Sequence, residues 1–241
     1  MSVRLKIVDL IRGLAIAGVV IFHIGWDLEF TGFLPVNLSR QSAWLWFGRS
    51  LAGTFMVLVG VSLVLAHSHG IRWKSYFRRL LVITVAAAAI SAVTWLVFPT
   101  TFIYFGILHA IATATVVATP FLWLPTVIAV AIGALFVTIP FLFDSAFFNT
   151  RWLAWTGFAQ NPPPSNDFVP IFPWLGLTLL GMGFAKGVVA VGFDRWLAHR
   201  EPSGMVPSVL VWMGRNSLVI YLIHQPILLS LIMPLAWLVF R

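Results

Sequence analysis

The sequence predicts an all-α membrane protein, a polytopic bundle of about seven transmembrane helices with a cytoplasmic N-terminus, and three observations lead there. Of 241 residues, 60% are hydrophobic and only 9% are charged, whereas an ordinary soluble domain carries roughly 25% charge. Mean hydropathy is +0.98, and several runs of about 18 residues or more are almost free of charge, enough to cross a hydrocarbon core of ~30 Å as a helix. The Lys and Arg residues gather in short loops and at the ends of those runs.

Apolar length and loop punctuation place helices near residues 8–28, 42–66, 77–97, 102–119, 121–142, 168–190 and 207–239. The first follows Met1 to Lys6 in the manner of a signal peptide. No small-residue cleavage pattern follows, however, and the run contains Arg12, His23 and Asp27, so it reads as the first spanning helix. The fourth and fifth meet at Thr119, Pro120 and Pro125 through a short uncharged connection, so one interrupted element is equally open. The last segment exceeds one crossing: its part before Gly214 could be a short interfacial helix, and Pro226 could kink the rest. No repeat and no long linker divides the chain, so residues 1–241 read as a single integral-membrane domain.

Orientation follows from the positive-inside bias. With the N-terminus in the cytoplasm, that side receives Arg4, Lys6 and Arg12, then Arg72, Lys74, Arg78 and Arg79, then Lys186, Arg195 and Arg200. The other side keeps Arg40, Arg151 and Arg241. The loop from Asp144 to Asp167 is then exported, and its Trp, Phe and Pro content suits a lid or substrate rim. The net charge of +8 reports topology and implies no nucleic-acid partner. Cysteine is absent, which excludes disulfides, thiolate nucleophiles and Cys-ligated zinc or iron-sulfur centres, and no metal is expected. Gly13, Gly18, Gly53, Gly60, Gly176, Gly181 and Gly183 read as small positions for close helix approach. Most tryptophans read as interface belts, although Trp26, Trp46 and Trp174 could line a pocket.

An ionisable group in the bilayer centre costs ~2.5–3.5 kcal/mol on insertion scales, so it is normally turned inward, paired and functional. At a rise of ~1.5 Å per residue, two layers emerge. The outer one contains His23, Asp27, Arg49, His109, Asp167, His224 and Gln225. His23 and Asp27 are four apart on one helical face, and a carboxylate beside an imidazole would fix its tautomer and raise its basicity for a base or nucleophile. The plain alternative is packing histidines bonded to nearby backbone, with Asp27 at the headgroups. The inner layer contains Asp9, Arg12, Arg215 and Asn216. Asp9 and Arg12 could simply form an interfacial ion pair; alternatively Arg12, Arg215 and the basic loop would attract a phosphorylated ligand.

These residues also carry a resemblance. Asp9-Leu10-Ile11-Arg12-Gly13-Leu14-Ala15 with Phe22-His23 and Trp26-Asp27-Leu28 resembles the opening motif of the bacterial DUF1624 membrane proteins, relatives of the heparan-alpha-glucosaminide N-acetyltransferase catalytic domain. Phe55-Met56-Val57-Leu58-Val59-Gly60-Val61-Ser62, Tyr104-Phe105-Gly106-Ile107-Leu108-His109 and Asp167-Phe168-Val169-Pro170-Ile171-Phe172-Pro173-Trp174 are similar to three further motifs. Gly214-Arg215-Asn216-Ser217-Leu218 with Tyr221-Leu222-Ile223-His224-Gln225-Pro226 is similar to the closing one. The motifs occur in family order.

The resemblance implies an acyltransferase of the bacterial inner (cytoplasmic) membrane. It would move acetyl from cytosolic acetyl-CoA, or another acyl-CoA, to the amine or hydroxyl of a glycan on the other side. Arg12, Arg215, Asn216 and Arg49 would bind the cofactor. His23, oriented by Asp27, would deprotonate the acceptor or carry the acyl group, Asp167 would bind the acceptor, and His109 or His224 would stabilise the thioester oxyanion. The family's catalytic His lies in the exported segment after the first helix, whereas here Glu29 to Gln41 has no His, so His23 is its functional stand-in. Two other classes compete: a transporter or flippase of a polar lipid-linked substrate, and a haem-bearing electron carrier with axial imidazoles. Membrane lipid is an implied partner, and a homo-oligomer is open.

Overall fold

A computed structural model describes residues 5–34, 38, 40–67, 70–199 and 202–240; Arg4, Arg200 and Arg241, counted above for topology, lie outside them. The described residues form α1 (Lys6–Phe30), α2 (Ser42–His67), α3 (Trp73–Val97), α4 (Ile107–Ala118) with a 3-10 turn at Thr119–Leu122, and α5 (Thr126–Leu142). A short α6 (Arg151–Ala154), α7 (Trp174–Ala190), α8 (Phe193–His199), α9 (Met205–Arg215) and α10 (Ser217–Val239) follow. Four helices, α1, α2, α3 and α10, are long and apolar enough to cross a membrane. A fifth crossing arises if α7 and α8, bent by 82°, count as one broken span, and Ile107–Leu122 and α5 are shorter apolar helices. Large apolar side chains stand open on these helices, among them Leu96 at 78%, Val127 at 78% and Phe141 at 80% exposure. Water penalises such surface and lipid accepts it.

Helix starts differ from the expected ones where backbone pairing overrides apolar content. Residues 102–106 are not helical: Phe105 bridges Phe168, Asn166 N–H donates to the Thr101 carbonyl at 2.8 Å, and Val169 N–H donates to Phe105 at 3.1 Å. The same pairing delays the sixth expected helix from 168 to Trp174, after Pro170 and Pro173. The last segment is two helices divided at Asn216, and α10 continues through Pro226 and Pro234.

The described residues divide into two compact units, one within 55–196 and the other within 5–54 and 197–240. In the first, α7 lies backbone-close to α2 and α5. A Cβ on Gly60 would stand 1.9 Å from the Thr178 carbonyl oxygen, and one on Gly181 would stand 2.4 Å from that of Val57. The Thr178 hydroxyl donates to the Met56 carbonyl at 3.0 Å. In the second, α1 crosses α9 just as closely: a Cβ on Gly13 would meet the Leu210 carbonyl oxygen at 1.9 Å, and one on Gly214 that of Asp9 at 1.8 Å. Small residues permit this approach.

Candidate active site

Four polar residues of α1 and α10 form the most unusual group in the second unit. His23 and Asp27, one turn apart on α1, meet His224 and Gln225 of α10. Asp27 is fully buried and His224 is 7% exposed. The Gln225 amide donates to Asp27 Oδ1 at 2.7 Å, and the His23 and His224 rings lie 4.8 Å apart between centroids, tilted by 37°. Five buried side-chain atoms have no hydrogen-bond partner among the described residues: His23 Nδ1, Asp27 Oδ2, His224 Nε2, Gln225 Oε1 and the Trp44 indole nitrogen. Buried polar atoms are normally satisfied, so a cluster of orphans calls for a functional account.

The expectation that Asp27 orients His23 requires correction. Asp27 spends one oxygen on Gln225, and no hydrogen bond joins it to His23. Sharing a helical face directs both side chains at α10 instead of at each other. The imidazole that is oriented is His224. Its Nδ1 lies 2.7 Å from the Tyr221 carbonyl, which can only accept, so Nδ1 carries the proton and Nε2 of the neutral ring keeps its lone pair. Two rings whose centroids lie 4.8 Å apart leave no room between them for a macrocycle held by paired axial ligands.

The inner arginines hold a carboxylate. Arg12 Nη1 donates to Asp9 Oδ1 at 3.0 Å and Arg215 Nε to Asp9 Oδ2 at 3.3 Å, with the Asp9 side chain 4% exposed. The ion-pair alternative for Asp9 and Arg12 is therefore the observed geometry, extended by α9. Arg215 is 43% exposed along its side chain. Asn216 closes α9, its amide donating one N–H to the Trp212 carbonyl at 2.9 Å. Arg49 is exposed and lies over the Trp46 ring at 5.4 Å.

His109 and Asp167 belong to the first unit and are tied into its frame. The Gly106 N–H donates to His109 Nδ1 at 3.2 Å, so Nε2 holds the proton and donates to the Ser91 hydroxyl at 3.2 Å. Both ring nitrogens are thus occupied, the packing arrangement weighed above for a lone histidine. Asp167 Oδ2 accepts from the Ile107 N–H at 2.8 Å: the carboxylate caps the start of α4, where backbone donors lack helical partners and the dipole favours negative charge. The role expected for it in acceptor binding competes with this cap.

The loop expected to form a rim does line a cavity in this unit. Ser91, Phe102, Tyr104, Arg151, Trp152 and Trp155 surround a cleft of about 450 Å³. Burial pushes the Tyr104 phenol up to about 12, against the lowering effect of the Arg151 guanidinium. Sequence reasoning assigned Arg151 only to topology and gave Gln225 no role; aromatic spacing around Phe102 and Tyr104 was the available signal for the cleft.

The described residues thus define a multi-pass helical membrane protein that buries a partly unpartnered group of imidazole, carboxamide and carboxylate. Its family is definite: the chain belongs to the heparan-alpha-glucosaminide N-acetyltransferase catalytic family, whose model matches residues 4–226. That family is one of N-acetyltransferases, so the chain is a multi-pass membrane protein of an acetyltransferase family. No curated protein and no solved structure matches the chain.

Proposed function

We propose that this protein is a transmembrane acetyltransferase that takes acetyl from a cytosolic acyl-CoA and delivers it to a sugar amine or hydroxyl on the other side of a bacterial inner membrane. In this reading the chain is one catalytic domain of about seven crossings with its N-terminus in the cytoplasm, the two shorter apolar helices included. The observation that carries it is the orphaned group on α1 and α10. Four of the five unpartnered atoms, His23 Nδ1, Asp27 Oδ2, His224 Nε2 and Gln225 Oε1, can accept a hydrogen bond. A ligand that donates hydrogen bonds, an amine or a hydroxyl, complements them.

His224 Nε2 takes the proton of the acceptor as its nitrogen or oxygen attacks the thioester carbonyl; the carbon-sulfur bond breaks and the CoA thiolate leaves. Alternatively an imidazole nitrogen of the pair attacks first and expels the CoA thiolate as the carbon-sulfur bond breaks; the acceptor then takes the acetyl group from that nitrogen, which regains its lone pair while the other imidazole receives the acceptor's proton. His23 shares the site, and Asp27 with Gln225 holds the acceptor. The N–H groups of Arg215 not used by Asp9 meet the phosphates of the acyl-CoA, a pairing that suits guanidinium.

Purified protein incubated with radiolabelled acetyl-CoA and a membrane glycan extract tests the reading. Label in the glycan supports it, and label retained on the protein identifies the covalent route. His23→Ala and His224→Ala should each abolish transfer in protein that remains folded and inserted. Wild-type turnover in both would end the proposal.

A further inference from the structure

The aromatic cleft of the first unit lies outside the catalytic group just described, and its construction is specific. Its walls come from the irregular segment 98–106, from α6 and its C-terminal neighbour Trp155, and from Ser91 of α3. Irregular backbone does not face lipid, where its polar groups would go unmet, so such segments lie in water or line an aqueous cavity. Here they bond to one another: Tyr104 donates to the Pro163 carbonyl at 3.0 Å, Ser165 to that of Phe102 at 3.2 Å, and the Trp155 indole to that of Trp152 at 2.8 Å. The rings are held in place by their own loop. Trp152 nevertheless stands 87% exposed.

One cation completes the lining. Arg151 Nη2 donates to the Thr100 carbonyl at 2.7 Å, and its guanidinium lies 4.9 Å from the centre of the Phe102 ring. Those two contacts fix the orientation of the plane and leave its other N–H groups without a recorded partner among the described residues. Among the described residues, no carboxylate lines the cleft. A volume of about 450 Å³ falls within the ~300–1,000 Å³ of small-molecule sites.

We infer that the cleft of Phe102, Tyr104, Arg151, Trp152 and Trp155 binds a pyranose bearing an anionic group. A pyranose presents a face of C–H groups, which the negative face of an aromatic ring attracts, and its acid matches a pre-oriented guanidinium. This binding is independent of the acetyltransferase reading above.

Saturation-transfer NMR titration of the detergent-solubilised full chain with methyl glucuronide and methyl glucoside, which differ by one carboxylate, tests the inference. The glucuronide should bind roughly tenfold or more tightly than the glucoside. Arg151→Gln should erase that preference, and Trp152→Ala should weaken both ligands. If Arg151→Gln fails to fold, Arg151→Lys, which keeps the charge and loses the fork, should shrink the preference. Equal affinity for both probes, no binding of either, or an unchanged preference in these arginine variants overturns the inference. Displacement of the glucuronide by phosphatidylglycerol bicelles, with no sugar preference remaining, would make the cleft a lipid headgroup site and also overturn it. Selective binding without any acetyl transfer supports the cleft assignment and counts against the acetyltransferase reading alone.

Discussion

Asp27 on α1 and Gln225 on α10, 198 positions apart in sequence, share a 2.7 Å hydrogen bond in which one carboxylate oxygen and one amide nitrogen are satisfied and the remaining oxygen of each is not. The pair positions two acceptors beside two imidazoles without neutralising them. Gln225→Leu removes the donor and strands a fully buried carboxyl group, at a cost of about 1–3 kcal/mol. Thermal unfolding in detergent should show the loss, and acetyl transfer should fall with it. An unchanged melting temperature would show that the bond contributes nothing.

Asp9 is held by Arg12, whose side chain is 20% exposed, and by Arg215, which is more open. Removing one partner of a fully buried pair costs about 3–5 kcal/mol, and less here because the Arg215 side chain is 43% exposed. Asp9→Asn should therefore destabilise the fold measurably. Arg215→Gln should instead raise the KM for acetyl-CoA about tenfold with a small change in kcat, the signature of lost uniform binding. A fall in kcat at constant KM would contradict the phosphate role.

Gly13→Ala should be costly although alanine favours helices. The new methyl would lie 1.9 Å from the Leu210 carbonyl oxygen, and overpacking costs ~1–3 kcal/mol even where flexible side chains can yield; a backbone carbonyl yields less. Thermal unfolding of Gly13→Ala beside a lipid-facing control such as Leu14→Ala measures it. Equal stability of the two would refute the close crossing.

Asp167→Ala removes the carboxylate over the start of α4 and should cost about 1 kcal/mol, the usual worth of a helix cap. Asp167→Asn, which keeps an oxygen for the Ile107 N–H, should recover most of it. If the cap is its main role, the acceptor KM of Asp167→Asn stays within about twofold of wild type. A large KM increase with unchanged stability would return Asp167 to acceptor binding.

Much of this was legible in the sequence because a bilayer imposes blunt rules: long uncharged runs became α1, α2, α3 and α10. The errors fell where apolar composition misleads. Phe102 to Phe105 are apolar or aromatic yet not helical, because Thr101 and Phe105 pair with residues 166–169, and no local periodicity encodes a partner some 60 positions away. The spacing of His23 and Asp27 correctly put them on one face, but an i,i+4 relation cannot say whether two side chains meet each other or a third helix. His224 and Gln225 were visible as intramembrane polar residues; what sets the tautomer, a main-chain carbonyl of Tyr221, has no sequence signature at all.

At the contact of Gly13 with Leu210 and of Gly214 with Asp9, main chain rests on main chain. Rotamer changes cannot loosen a joint that contains no rotamers, so α1 and the helix it crosses must travel as one rigid lever. Any bending within this unit falls outside that crossing, and a nearby interruption of helix is Asn216, between α9 and α10.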